Sequence, residues 1–165
     1  MTTLALSIGS NIDATANIRA ALNALSEKFD KLRRSTTFES QAVGFDGDNF
    51  FNLVVLAETD KELEEVSAYL KQLEDRLGRD RRQQRFSGRT MDIDILLFGN
   101  ESGVCAGIEL PRPEITENAY VLQPLAELLP DKIHPPTGKS YGSLWQDYDK
   151  QKQRLWPIEF DWSEN

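Results

Sequence analysis

The order of apolar and polar positions in the first half of the chain predicts strands that alternate with helices. Residues 3–8 form a short apolar run that ends at the turn residues Gly9-Ser10-Asn11, so we predict a buried strand leading into a helix. A helix is then predicted over about residues 13–28, because apolar residues recur there at helical spacing, namely Ile18, Leu22, Leu25 and Phe29.

Two β-prone segments and a second amphipathic helix follow. Residues 33–40 are rich in Thr and Ser, residues 51–57 are strongly apolar, and both are predicted strands. Thr59 and Glu62 have the spacing of a capping box that would begin a helix ended by Gly78. The apolar stripe of this helix consists of Leu63, Val66, Leu70, Leu73 and Leu77.

An acid-containing strand within residues 89–98 completes the order β-α-β-β-α-β, which is the ferredoxin-like motif. Beyond it, residues 108–113 look extended and residues 118–129 have a short helical pattern. We therefore predict an α+β domain over residues 1–148, with a ferredoxin-like core and an additional C-terminal strand and helices. A tail over residues 149–165 should dock through its tryptophans.

The acid-containing strand carries the main chemical signal. Alternate residues of a strand share a face, so Asp92 and Asp94 should point the same way, about 6 to 7 Å apart at Cα. Met91, Ile93 and Ile95 should be buried on the other face. Two such carboxylates suit Mg²⁺, and a cation or an arginine should lie near them because an uncompensated buried carboxylate is costly.

Charge is unevenly distributed along the chain. The net charge of −8 argues against a protein that coats nucleic acid, yet six arginines cluster just before the acids: Arg76, Arg79, Arg81, Arg82, Arg85 and Arg89. The planar guanidinium matches phosphate oxygens better than an ammonium group does. By themselves these residues leave an alternative open, in which the acids form salt bridges with Arg89 or its neighbours and the arginines are a solvated turn.

Composition limits the classes of protein to which the chain could belong. A chain of 165 residues suits one domain, and its single cysteine, Cys105, fits a reducing compartment. No apolar stretch approaches the roughly 18 residues that span a bilayer, so we expect a cytoplasmic protein without a membrane partner. The chain has one histidine, His134, and one cysteine, and this inventory argues against a Ser/His/Asp triad and a His/Cys zinc cluster. We expect His134 to be structural or solvent-exposed.

Several of these motifs together resemble a known family, the 6-hydroxymethyl-7,8-dihydropterin pyrophosphokinases of folate biosynthesis. The shared features are Gly9-Ser10-Asn11, Phe51-Asn52, Glu74, Gly78-Arg79 and the segment RFSGRTMDIDILLFG at residues 85–99. The resemblance runs over about residues 4–148. It implies transfer of the βγ-pyrophosphoryl group of ATP to the hydroxymethyl oxygen of a reduced pterin, with release of AMP, by an enzyme that works as a monomer.

The resemblance also implies roles for individual residues. Asp92 and Asp94 would hold two Mg²⁺ ions on ATP, and the residues that contact phosphates or ATP would be Arg79, Arg81, Arg89 and Ile95. Arg112, which departs from the family, is a separate candidate for an ATP contact because its guanidinium could replace a lost phosphate contact. The pterin would be bound by the Asn52 carboxamide, the Tyr120 ring, Phe50 and Val43. Glu74 matches an acid near the catalytic loop, although an acid late on a helix commonly faces solvent.

The chain departs from the family in four places. The usual Arg-Trp-Gly-Pro-Arg is Arg85-Phe86-Ser87-Gly88-Arg89, the usual Pro-His is Pro111-Arg112, and Asn118 stands in place of an arginine. The pterin-side loop is changed as well, with Ser40-Gln41-Ala42-Val43-Gly44 in place of Thr-Pro-Pro-x-Gly. Two alternatives therefore stay open: a paralogue that acts on another pterin-like acceptor, and a weakly catalytic protein that binds Mg-nucleotide or pterin.

Overall fold

The computed structural model describes residues 1–41, 49–78 and 91–162. Its strands are β1 (Thr2–Ser10), β2 (Asp30–Arg34), β3 (Thr37–Ser40), β4 (Phe50–Thr59), β5 (Asp92–Phe98), β6 (Gly103–Cys105), β7 (Ile108–Leu110), β8 (Ile133–His134), β9 (Lys139–Ser140) and β10 (Leu155–Ile158). Its helices are α1 (Ala14–Lys28), α2 (Leu63–Arg76), α3 (Ala119–Leu128) and α4 (Tyr141–Asp147), with a 3-10 turn over Pro113–Thr116.

The main sheet is antiparallel and follows the order β10-β3-β4-β1-β5, while β2 also pairs with β4. In this arrangement β1 is central and lies between the strands that precede and follow α2. That is the strand order of a ferredoxin-like β-α-β-β-α-β core, so the predicted α+β fold is confirmed.

Helices cover both faces of this sheet. On one face, α1 and α2 contribute Ile18, Leu22, Val66 and Leu70 to a buried cluster with β1 and β4, as their apolar stripes predicted. On the other face, α3 and α4 pack over a second cluster that includes Val54, Leu122 and Tyr141. The C-terminal additions therefore give the sheet its second helical layer.

Two predicted boundaries were wrong for local reasons. Helix α2 begins at Leu63 with Glu62 as its N-cap, because the Thr59 hydroxyl accepts instead from the Lys61 amide at 3.0 Å. The strand predicted over residues 33–40 is split at Ser35. There the Ser35 hydroxyl takes the place of a backbone carbonyl and accepts from the Val54 amide at 3.0 Å, which interrupts the regular ladder.

The tail forms the outer strand of the sheet, since β10 pairs with β3. Trp162 docks on the first buried cluster, as predicted for an aromatic tail, and Phe160 docks beside it. Trp156 remains 39% exposed, and its indole N–H donates to Glu39 Oε1 at 3.1 Å. Within the described ranges, no helix has both the length and the hydrophobicity needed to cross a lipid bilayer.

Candidate active site

Three neighbouring strands place their polar residues in one row across the sheet. Gly9 of β1 lies opposite Asn52 of β4 on one side and opposite Asp92 of β5 on the other. In the next row, Ser7 lies between Val54 and Asp94. Residues that pair across antiparallel strands share a face, so the two acids and the Asn52 amide all lie on the face covered by α3.

Gly9 leaves the space that the Asn52 side chain occupies. A Cβ at this position would lie 2.6 Å from Asn52 Oδ1, which is closer than nonbonded atoms approach. Asn52 itself is 5% exposed, and its amide group donates to Ser40 Oγ at 3.4 Å. A glycine in the central strand is therefore what lets this amide stand beside the acids.

The two acids have the orientation that the strand pattern predicted. Asp92 and Asp94 are half-buried, whereas Met91, Ile93 and Ile95 are buried on the opposite face. Burial raises the pKa of the Asp94 carboxyl, Arg112 acts in the opposite direction, and the neighbouring carboxylates of Asp92, Glu74 and Glu114 raise it further. The balance leaves Asp94 in surroundings that would favour a bound cation.

Among the described residues, Arg112 is a cation beside Asp94. Its Nη2 lies 3.5 Å from Asp94 Oδ1, and its Nε lies 2.6 Å from Glu114 Oε2. The predicted arginine near the acids is present in Arg112, which follows the strand, while Arg79 to Arg89 lie outside the described residues.

Glu74 is buried, contrary to the common position of an acid late on a helix. It is 5% exposed, and its Oε2 accepts from the backbone N–H of Ile93 at 2.8 Å. Ile93 lies between the two acids, so Glu74 holds the strand segment that carries them. A signal for this role was present in the sequence, because Glu74 lies four residues after Leu70 and so falls on the apolar face of the helix.

Tyr120 and Phe50 lie on the same side of the sheet as the acids. Tyr120 is half-buried in the first turn of α3, and burial raises the pKa of its phenol, with the charges of Asp94, Glu114 and Asp92 adding to the effect. Phe50 is half-buried two residues before Asn52 in β4 and therefore points to the same face. The structure thus brings two of the predicted pocket aromatics to the face that carries the acids.

A cavity of about 280 Å³ opens between α2 and β5. It joins the predicted ATP residues Ile95 and Arg112 to Asp94, and its lining is Ser67, Leu70, Lys71, Glu74, Ile93, Asp94, Ile95, Ile108 and Arg112. Sequence reasoning missed Ser67, Lys71 and Ile108, which also line this cavity. Nothing in the sequence marks their helical and strand positions, and only the packing of α2 and β7 against β5 makes them neighbours of Asp94.

Asp92 and Asp94 suit a metal ion that binds together with the phosphate groups of a substrate. In the described part of the chain, no group of three or more acidic, histidine or cysteine side chains forms a metal site by itself. Mg²⁺ in phosphate-transfer sites is commonly held by one or two carboxylates together with substrate oxygens. Asp92 and Asp94 provide that donor set.

Several predicted site residues lie outside the described residues. These are Arg79, Arg81, Arg89 and Val43, together with the altered turn Phe86-Ser87-Gly88. Asn118, the position at which the family has an arginine, is the N-cap of α3.

Comparisons with known proteins place this geometry in a family. The family model for 7,8-dihydro-6-hydroxymethylpterin-pyrophosphokinase matches residues 5–130. A 2-amino-4-hydroxy-6-hydroxymethyldihydropteridine pyrophosphokinase of Aquifex aeolicus is 34% identical over 137 residues, which cover 82% of this chain and 85% of that protein. A folate synthesis bifunctional protein of Chlamydia caviae is 34% identical over 146 residues, which cover 84% of this chain but 33% of the relative.

Solved structures share the fold. An HPPK-DHPS of Plasmodium falciparum, crystallised with pteroate, has a TM-score of 0.71 and 13% identity over 92% of this chain and 43% of that one. This chain thus spans about a third of the Chlamydia relative and less than half of the Plasmodium protein. Because the family model covers most of the chain and the Aquifex relative matches along nearly its whole length, the chain belongs to the 7,8-dihydro-6-hydroxymethylpterin-pyrophosphokinase family.

Proposed function

We propose that this protein transfers the βγ-pyrophosphoryl group of ATP to the hydroxymethyl oxygen of 6-hydroxymethyl-7,8-dihydropterin, giving the pterin diphosphate and AMP in folate biosynthesis. One observation carries the proposal beyond family membership. The row Asn52–Gly9–Asp92 places an amide suited to a pterin edge next to acids suited to a metal-bound phosphate. ATP, the pyrophosphoryl donor, and the pterin, its acceptor, would meet within one cleft if they bound on either side of Gly9.

The nucleotide is proposed to enter the cavity between α2 and β5. Leu70, Ile95 and Ile108 offer apolar surface for a flat base, and Lys71 and Arg112 supply positive charge at the same cavity. Asp94 borders the cavity as well. This lining supports a nucleotide whose phosphates extend from the apolar wall toward the acids.

The pterin is proposed to bind on the Asn52 side. The Asn52 carboxamide has both a donor and an acceptor for the edge of the ring, and Tyr120 offers an aromatic face for stacking. Phe50 and Val43 are proposed as further pocket residues, and Glu74 as a support for the strand. The near-complete burial of Asn52 supports this assignment, because a buried amide with a long hydrogen bond has capacity for a ligand.

Asp92 and Asp94 are proposed to hold two Mg²⁺ ions together with the triphosphate. When bound, such ions neutralise charge on the phosphate oxygens and orient the attacking hydroxyl. The chain's own part is to keep both carboxylates on one face and the strand in place through Glu74. Arg79, Arg81 and Arg89 are proposed to contact the phosphates or order the loop that carries them.

Arg112 is proposed to replace a phosphate contact that the family provides through histidine. Its Nε is committed to Glu114, while its Nη2 end faces Asp94, which supports a guanidinium aimed at the phosphate site. An Arg112→Ala enzyme should have an ATP KM raised about tenfold, the scale of a lost charged hydrogen bond, with the pterin KM unchanged. An unchanged ATP KM would contradict this role.

We also propose that the protein is a cytoplasmic monomer whose partners are ATP and the reduced pterin, with no nucleic acid or membrane partner. The net charge of −8 supports the exclusion of nucleic acid.

The direct test is an incubation with ATP, Mg²⁺ and 6-hydroxymethyl-7,8-dihydropterin, followed by measurement of AMP and pterin diphosphate. Asp92→Asn should abolish both products, whereas Asp131→Asn, a change at an exposed acid between α3 and β8, should leave them unchanged. Wild-type AMP formation no higher than that of Asp92→Asn would overturn the proposed activity. If Mg-ATP still bound, the binding-protein alternative would gain support, and AMP formed only with another pterin would favour the paralogue.

A further inference from the structure

The first turn of α3 is completed by a side chain from the C-terminal tail. The opening N–H groups of a helix have no partner inside the helix. In α3 the Ala119 N–H donates to Gln153 Oε1 at 2.8 Å, and Gln153 Nε2 donates to Asn118 Oδ1 at 2.9 Å. An N-cap asparagine usually accepts from the N–H of the second or third helical residue, but here its carboxamide bonds to the tail.

The tail holds Gln153 from both directions. Before it, Lys150 Nζ donates to the Trp145 carbonyl at 2.7 Å and lies 4.5 Å from the centre of the Trp145 ring. After it, β10 pairs with β3. The Tyr148 hydroxyl also donates to the Glu117 carbonyl at 2.7 Å, just before α3. The Gln153 carboxamide is therefore anchored before any ligand binds.

The turn that Gln153 completes carries Tyr120. Tyr120 directly follows Ala119, is half-buried against the second cluster, and has a phenol near enough to Asp94 and Asp92 for their charges to act on it. A small rotation of this first turn would move the Tyr120 ring relative to the row of Asn52 and Asp92. The residues just before Tyr120 are thus bonded to a segment more than thirty residues later in the chain.

We propose that Gln153 is a positioning residue for the acceptor site: its two hydrogen bonds to Asn118 and Ala119 fix the first turn of α3 and so hold the Tyr120 ring where the flat pterin stacks. This inference rests on the proposed function, because it takes Tyr120 as part of the pterin pocket. In this chain Asn118, which stands where the family has an arginine, helps to position the pterin side of the site by accepting a hydrogen bond from Gln153 of the tail.

The test replaces Gln153 with residues that keep its size or its acceptor. Gln153→Met keeps the length but removes both hydrogen bonds, and should raise the pterin KM about fivefold, the scale of one lost hydrogen bond, with the ATP KM within about twofold of wild type. Gln153→Glu keeps an acceptor for Ala119 N–H, and the Asn118 amide can turn to donate to it, so its pterin KM should stay near that of wild type. Gln151→Met, at an exposed position of the same tail, is the matched control and should change neither KM.

Each outcome bears on the proposal. An unchanged pterin KM in folded Gln153→Met, or an equal rise in both KM values, would overturn it. If Gln153→Met melts below the assay temperature, Gln153→Asn, which withdraws the amide by one methylene, should show the same selective rise, and an unchanged KM there would also overturn it. If the wild type forms no AMP, the proposed activity fails, but the positioning role is still measurable by calorimetric binding of pterin. Equal pterin affinities of the wild type and Gln153→Met would overturn the positioning role. A wild type that does not bind pterin would overturn it as well.

Discussion

At the scale of single residues, the absence of a side chain at Gly9 decides how the Asn52 amide lies relative to Asp92. Gly9 lies between Asn52 and Asp92 in the sheet, and the Asn52 amide occupies the space that a Cβ would take. The atom in conflict is the tip of a side chain, so the backbone can stay in place while the amide moves. A methyl group here would therefore affect recognition more than folding.

Gly9→Ala should raise the pterin KM about tenfold with little loss of stability, because the added methyl displaces the Asn52 amide. Steady-state kinetics and urea unfolding measure the two effects. The control is a double-mutant cycle with Asn52→Ala, in which the added methyl should have less than about a twofold effect since its obstacle is gone. An equal effect in both backgrounds would show that Gly9 acts on something other than Asn52.

Asp94→Asn should lower the activity and raise the melting temperature. Activity should fall at least about 100-fold because a carboxylate is lost where phosphate charge must be stabilised. The melting temperature without Mg²⁺ and ATP should rise, because the change removes a negative charge that is half-buried near Asp92 and Glu114. Scanning calorimetry with and without Mg-ATP measures this, with Asp131→Asn as the control; a lower melting temperature than wild type would contradict it.

At the scale of elements, β5 is an edge strand whose outer side is held by neighbouring elements. The Ile93 N–H donates to Glu74 of α2, and the Leu96 carbonyl accepts from the Arg112 N–H at 3.0 Å. An edge strand otherwise exposes these groups to solvent or to another chain. The strand that carries both acids is therefore fixed on its open side by a helix and by the segment after β7.

Glu74→Ala should lower the free energy of unfolding by about 2 kcal/mol, because it leaves the buried Ile93 N–H without the acceptor it has in the native fold. Glu74→Gln should cost less, since its amide oxygen can still accept. Urea unfolding gives the stability, and amide exchange at Ile93 should quicken in the Ala variant but not in the Gln variant. Equal protection of Ile93 in wild type and Glu74→Ala would show that this contact does not hold the strand.

At the scale of the whole molecule, the face that carries Asp92 and Asp94 is built from two layers that lie far apart in sequence. The sheet supplies the acids and the Asn52 amide, while α3 supplies Tyr120, and α4 packs beside α3 over the second cluster. His134 is 5% exposed, and its ring lies 5.6 Å from the Tyr141 ring in that cluster. Stability of this layer is therefore linked to a buried histidine.

Acidification should weaken the protein through His134. Burial lowers the pKa of His134, so the unfolded chain takes up a proton more readily than the folded one. Its contribution is fully present above the unfolded pKa of about 6.5 and is lost as pH falls toward the lower folded value. Urea unfolding from pH 7.5 to 5.5 should show a fall in stability that is smaller in His134→Gln. In the wild type, His134 Nδ1 lies 2.9 Å from Thr137 Oγ1, and the glutamine amide can still bond that hydroxyl. Parallel curves would contradict the linkage.

Much of the fold was predictable because the signals are local. Helical spacing in residues 13–28 and 63–77 identifies the buried faces of α1 and α2, and alternation in residues 91–95 places Asp92 and Asp94 on one face wherever the strand lies. The family followed from motifs of the same local kind. The predicted N-cap at Thr59 was wrong. A threonine hydroxyl can accept either from the amide two residues later or from an amide in the first turn of a helix, and sequence alone does not rank these two bonds.

The sequence by itself thus determined the order of elements and the side of each element that is buried. It also predicted that Asp92 and Asp94 share one face of a strand, as a metal site would require. Only the tertiary structure decided which residues face those acids: the register that sets Gly9 between Asn52 and Asp92, the burial of Glu74, the approach of Arg112, and the hold of Gln153 on α3. Periodicity is a property of neighbouring residues, whereas register and docking depend on contacts between distant segments. Those contacts form only when the whole sheet and both helical layers pack together.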